Sequence, residues 1–248
     1  MTRFASWAEF SEANGAELAL IAKKIESIRE KRQVFPPADC VFKFTITPLE
    51  ATRVVILGQD PYPTSGHATG LAFSAPADAD QPASLRNICR ELCDDLLDSK
   101  ILEPVAAAKH LFVRDLTPWT ERGVLLLNTA LTVFERSPGS HAEIWREFTA
   151  RAIAAVIDSA SSPPHFVLWG SKARDALQAI VGEPRGTLDG VTAVCEHFVG
   201  SKLACTSTFS SHPSPMSAHK GFFGSRPFSR ASRAVNATSG VELDWRLV

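Results

Sequence analysis

Tyrosine is almost missing from this chain. Its 248 residues include fifteen phenylalanines and a single tyrosine, Tyr62. Cysteine is scarce as well, with five residues at 40, 89, 93, 195 and 205 and no C-x-x-C pair. So odd and scattered a set argues against a disulfide framework or a zinc ribbon and fits a reducing compartment. Cys89 and Cys93 stand four apart on a helical pattern but lack further ligands at suitable spacing, so they read as buried core thiols. No apolar run approaches the ~18–20 residues of a membrane span. The opening "MTRFASWAEFSEANGAEL" carries acids early and no long apolar stretch, so no secretory or transit peptide is expected and the cytoplasm is the expected location.

Several motifs are missing too. Neither G-x-x-x-x-G-K-[ST] nor G-x-G-x-x-G occurs, so no nucleotide cofactor is indicated. The nearest approach to the G-x-S-x-G elbow of a Ser-His-Asp hydrolase is "GHATG" (66–70), with alanine at the nucleophile position. His212 and His219 have no carboxylate near them in sequence, which argues against a metal hydrolase; neither metal nor cofactor is expected. Finally, no acidic residue lies between Glu196 and Glu242, where Lys202, Lys220, Arg226, Arg230 and Arg233 fall. A polyanion would approach that region first, although the net charge of −1 points to none.

What is present reads as a globular α/β chain, 45% hydrophobic and 21% charged. Short apolar runs at "RVVILG" (53–58), "GVLLLN" (123–128) and "HFVLWG" (165–170) predict strands buried on both faces, and "KLACTST" (202–208) predicts a weaker fourth. Helical periodicity covers 7–32, broken at Asn14-Gly15, and recurs over 82–97 with Ser84 as N-cap, over 143–160 and over 171–181. Strand–helix alternation of this kind predicts βαβ units in one α/β domain spanning 1–248, with residues 1–50 mainly helical and packed on the core.

Ligands of open parallel sheets bind beyond the carboxyl ends of the strands. Gln59-Asp60, Asn128, Gly170-Ser171 and "FSSHPSPMSAHKGFFGSRPFS" would therefore share one edge. The first of these continues as "GQDPYP". Asp60 and Tyr62 each precede a proline, so both are held extended in a stiff loop that aims side chains.

"GQDPYP…GLAFS", "GVLLLNTALTV", "VLWGSKA" and "HPSPMSAHKGFFGSRPFS" resemble, in order and spacing, the motifs of family-1 uracil-DNA glycosylases, and the resemblance spans Phe35 to Trp245. It implies hydrolysis of the bond between uracil and deoxyribose in single- or double-stranded DNA, without metal or cofactor, on an α/β fold with a central four-stranded parallel sheet. By the same resemblance, Asp60 positions and activates water, and a neutral His212 stabilises charge on the departing uracil. Gln59 offers its backbone N–H to the same uracil oxygen. Asn128 pairs with O4 and N3–H of uracil, Phe73 stacks on the base, and Tyr62 excludes the methyl group of thymine. Ser84, Ser171, Ser214 and Ser217 match serines that bind DNA phosphates, while Met216 takes the place of an intercalating leucine. Both leucine and methionine are known wedges for flipping a base.

Pro63 and Thr69 replace two histidines usual in the family. The reaction class is expected to survive because Asp60, Tyr62, Phe73, Asn128 and His212 are all present. A non-catalytic DNA binder on the same fold would have lost the carboxylate or the imidazole. The resulting expectation is a monomer acting on uracil-containing DNA, with no membrane partner.

Overall fold

A computed structural model describes residues 2–100, 103–187 and 194–247, with backbone alone at 186–187. The interruption at Asn14 divides the first helical pattern into α1 (Trp7–Ala13) and α2 (Gly15–Arg29). After the short strand β1 (Val34–Phe35), the chain runs through β2 (Val54–Gly58), α3 (Ala83–Asp98), α4 (Pro104–Ala108), α5 (Thr117–Thr120) and β3 (Val124–Asn128). It continues through β4 (Val133–Phe134), α6 (Ala142–Ser159), β5 (His165–Trp169), α7 (Ser171–Val181), β6 (Gly186–Thr187), β7 (Val194–Val199), β8 (Lys202–Ser210) and α8 (Pro227–Ser239).

The main sheet has the order β3-β2-β5-β8-β7-β6. β3, β2, β5 and β8 pair in parallel, whereas β7 pairs antiparallel with both β8 and β6. A four-stranded parallel sheet is therefore too narrow a description: the sheet is mixed and continues past the fourth apolar run. Nothing in the apolar pattern announces β7, because only Val194 and His197 on it are buried. Its signal is the Gly200-Ser201 connection, where Gly200 takes φ 64° and turns β7 directly into β8.

Every residue of β2, β3 and β5 is buried, as continuous apolar runs require when helices cover both faces. β8 reads more weakly because it buries Thr206, Ser207 and Thr208. Their hydroxyls are matched by imidazoles, His165 reaching Thr206 and Thr208 at 2.8 and 3.2 Å and His197 reaching Ser207 at 2.9 Å. Polar groups buried with partners cost the fold little. Trp7 and Phe10 anchor α1 in the same hydrophobic cluster as the strands, against Phe44 and Phe148. Cys89 and Cys93 are free and buried in α3. Among the described residues no helix is long and apolar enough to cross a membrane.

One boundary differs in a way that touches the site. α3 begins at Ala83 with Pro82 in the capping position, so Ser84 sits in the first turn and is not the N-cap. Proline's fixed φ, here −58°, suits this earlier start.

Candidate active site

The carboxyl end of β2 opens into a cavity of about 240 Å³ lined by Gln59, Asp60, Pro61, Tyr62, Pro63, Phe73, Ser84 and His212, with Ala68–Leu71 and Pro138 completing the wall. Five separate stretches of chain contribute to it. Of the residues singled out in the sequence, Gln59, Asp60, Tyr62, Phe73, Ser84 and His212 meet here.

Asp60 is held by one oxygen. Its Oδ2 accepts the Gln59 Nε2–H at 2.7 Å and the Gly139 backbone N–H at 2.8 Å. The other, Oδ1, is buried without a partner among the described residues. Burial raises the carboxyl pKa above its ordinary value, and the Gly139 and Gln59 hydrogen bonds pull it back in part. A carboxylate fixed on one side and bare on the other can take a water or a substrate hydroxyl.

Tyr62 donates its phenolic O–H to the carbonyl of Phe73 at 2.8 Å, and burial keeps that phenol protonated. Phe73 itself holds a left-handed backbone, φ 63°, which is strained for a bulky residue. Its ring is wedged edge-on to Trp169, centroids 5.1 Å apart, and tilted against His212 at 5.9 Å. These contacts and the tyrosine bond over-determine its position.

The histidine is oriented by its own turn. The Ser214 backbone N–H donates to His212 Nδ1 at 3.0 Å, so in the neutral ring the proton resides on Nε2. Burial lowers the imidazole pKa, which favours that neutral form. Gly170, at φ 91°, makes room for the ring: a Cβ there would lie 3.1 Å from that of His212. Ser217 donates to the His212 carbonyl and shares a 2.8 Å hydroxyl contact with Ser214, closing the turn on itself. Met216 stands 87% exposed beyond that turn.

Besides Ser214, Met216 and Ser217 on the histidine turn, two predicted residues lie apart from the cavity wall. Asn128 closes β3 directly beside Gly58 in the parallel register, buried, with its Oδ1 unpartnered among the described residues. The side chain fits because residue 58 is glycine; a Cβ there would fall 2.2 Å from Oδ1. Ser171 is exposed at the first turn of α7. Two contributors escape sequence reasoning, Gly58 and Gly139, and for a third, Gly170, the sequence gives the place at the edge but not the fit to His212. All are glycines, one facing Asn128, one facing His212, and one, after Pro138, turning its N–H to Asp60; a Pro-Gly turn signal is present but says nothing of its target.

A protein-family model described as the uracil DNA glycosylase superfamily matches residues 44–236, and the chain belongs to that superfamily. Its curated relatives carry a narrower name. The uracil-DNA glycosylase of Thermobifida fusca (strain YX) is 38% identical over 244 residues, covering 97% of this chain and 92% of that protein. Uracil-DNA glycosylase 1 of Streptomyces coelicolor is 39% identical over 246 residues, covering 98% and 95%. The fold also matches a crystal structure of a mimivirus UNG variant in complex with UGI, at TM-score 0.73 and 24% identity, over 96% of this chain and 86% of the other.

Proposed function

We propose that this protein excises uracil from DNA, hydrolysing the bond between the base and deoxyribose to leave an abasic site, the first step of base excision repair. The observation that carries this reading is the meeting of a half-bare carboxylate, Asp60, and an Nε2-protonated imidazole, His212, across one small cavity walled by Tyr62 and Phe73.

Cleavage of an N-glycosidic bond builds positive charge on the sugar and negative charge on the base. The ionised Asp60 stabilises the first, and its free Oδ1 orients the water that attacks C1′ and takes up that water's proton. As the bond from C1′ to N1 breaks, its electron pair leaves with uracil. The Nε2–H of His212 and the backbone N–H of Gln59 stabilise that anion at O2 by hydrogen bonding. Asn128 offers an acceptor and two donors through its amide, which suits O4 and N3–H of uracil and mismatches cytosine. Phe73 stacks on the base. Ser84, Ser171, Ser214 and Ser217 hold backbone phosphates, contacts that position the strand without reading sequence. Met216, exposed and apolar, fills the gap left by the flipped nucleotide.

The chain is read as one domain over 1–248, with α1 and α2 packed on the α/β core around four parallel strands. It acts as a cytoplasmic monomer on single- or double-stranded DNA, without metal, cofactor or membrane partner.

Incubation with a uracil-containing oligonucleotide, followed by cleavage at abasic sites, tests the reaction. Wild type releases uracil, and His212→Ala lowers kcat by about 10²–10³-fold, the usual loss for one donor to a developing anion. Binding without release by wild type would identify a non-catalytic DNA binder instead. Gly58→Ala tests the Asn128 assignment, since the new Cβ displaces the amide. A misplacement of about 1 Å costs on the order of 10²-fold, so kcat/KM for uracil release falls by that order. Unchanged kinetics in this variant would remove Asn128 from the site.

A further inference from the structure

α3 meets the histidine loop with a stripe of polar side chains at helical spacing, namely Ser84, Asn87, Glu91, Asp95 and Asp98. Glu91 and Asp95 are both 1% exposed, and neither contacts a cation among the described residues. Each instead accepts backbone N–H groups from the chain beyond the loop. Glu91 takes Gly224 and Arg226 at 2.7 and 2.8 Å, and Asp95 takes Phe228 and Ser229 at 2.9 Å each. The far end of the loop is thereby fixed to α3.

At the near end, one side chain reaches the loop beside the histidine. Asn87 Nδ2 donates to the carbonyl of Pro213 at 2.7 Å. That carbonyl and the Ser214 N–H belong to the same peptide group, which is planar and rigid. The N–H end of this plane is the group that donates to His212 Nδ1 at 3.0 Å. Asn87, one peptide plane and the imidazole thus form a continuous relay of hydrogen bonds. The turn's other bonds, among Ser214, Ser217 and the His212 carbonyl, close the turn but do not tie it to α3.

We propose that Asn87 is a positioning residue for His212: by gripping the carbonyl of the 213–214 peptide, it orients the N–H that holds Nδ1 as an acceptor and keeps the ring proton on Nε2, facing the leaving base. The inference rests on the role given to His212 above. Polarisation works in the same direction, because an amide whose carbonyl accepts a hydrogen bond is a better donor at its N–H. Glu91 fixes the chain beyond the loop, at Gly224 and Arg226, and leaves the hold on the 213–214 peptide to Asn87.

Asn87→Ala and Asn87→Asp both delete the donor, and the second retains the side chain's size. With a single-stranded uracil oligonucleotide, which removes base flipping from a duplex as a variable, each is expected to lower kcat about 10²-fold with KM nearly unchanged. The companion readout is the imidazole ¹⁵N spectrum of histidine-labelled protein, assigned with His212→Ala. Wild type shows His212 with Nδ1 bare and Nε2 protonated; the Asn87 variants show a mixture of the two tautomers. A wild-type kcat per folded molecule, or an unchanged tautomer, would overturn the proposal, as would a loss explained entirely by a smaller folded fraction. Should wild type release no uracil, the reaction assigned above fails, while the ¹⁵N spectrum still decides whether Asn87 sets the ring.

Discussion

Asp60→Asn is expected to lower kcat for uracil release by about 10²–10⁴-fold, the range of a general base, while raising thermal stability at neutral pH. The substitution is nearly isosteric. An asparagine carbonyl can accept from both Gly139 N–H and Gln59 Nε2–H, as Asp60 Oδ2 does at 2.8 and 2.7 Å. What is lost is the charge, together with the bare oxygen's ability to take a proton from water. Substrate binding changes little, so the loss falls on kcat and not on KM.

The stability gain follows from the sign of the pKa shift. Burial raises the Asp60 pKa above its unfolded value of 3.8, so the folded state holds its proton more tightly than the unfolded state. The group's favourable contribution is fully present below that unfolded pKa and is lost as pH rises through the higher folded one. At pH 7 the ionised carboxylate therefore weighs against folding, and asparagine relieves it. The wild-type and Asp60→Asn melting temperatures should accordingly differ at pH 7 and converge in acid. The same direction governs activity. Wild-type rate falls as pH drops through the raised Asp60 pKa, and protonation of His212, lowered below 6.5 by burial, comes only in acid. Melting temperatures that stay equal at neutral pH would show that the buried charge costs the fold nothing.

The sequence signals that found Asp60 are local ones. A continuous apolar run marks β2, its end marks the sheet edge, and the prolines at 61 and 63 mark a stiff loop, all within a dozen residues. The runs that became β2, β3 and β5 were legible for the same reason, since burial on both faces leaves an unbroken apolar string. β7 was not, because it lies toward the sheet edge and keeps polar and half-buried positions. The sheet-edge rule brought Asp60 and His212 together, but individual hydrogen bonds between distant residues were illegible. Gly139 reaches Asp60 across 79 positions and Asn87 reaches Pro213 across 126, and neither residue type advertises its partner. The serines illustrate a middle case: Ser84 is at the cavity and Ser214 and Ser217 are on the histidine turn, but the expected capping role of Ser84 belongs to Pro82. Periodicity locates an element to within a turn, and a two-residue shift at its start reassigns the cap.

If Tyr62 excludes thymine, as the resemblance implies, Tyr62→Ala is expected to release thymine as well as uracil. Uracil and thymine differ by one methyl group, and a pocket that can yield discriminates such a difference by only about 10–200-fold. A genome holds far more thymine than uracil, so sparing thymine requires a wall that cannot yield. Tyr62 is built as one: its backbone lies between Pro61 and Pro63, and its hydroxyl is tied 2.8 Å from the Phe73 carbonyl. Phe73 is in turn fixed by its own strained backbone and by the edge of Trp169. The tyrosine thus borders the cavity as a ring with no free torsion to swing away. Removing the ring leaves Asp60 and His212 in place and opens space where the methyl group would sit. Thymine release from a thymine-containing oligonucleotide should then become measurable, with the preference for uracil falling into the range of a yielding pocket, about 10–200-fold. Tyr62→Phe separates rigidity from bulk. It keeps the ring but cuts the tie to Phe73, so its preference should lie between those of wild type and Tyr62→Ala. Equal preference in Tyr62→Phe and wild type would mean that bulk alone excludes thymine; a Tyr62→Ala enzyme that still spares thymine would move the barrier elsewhere in the cavity.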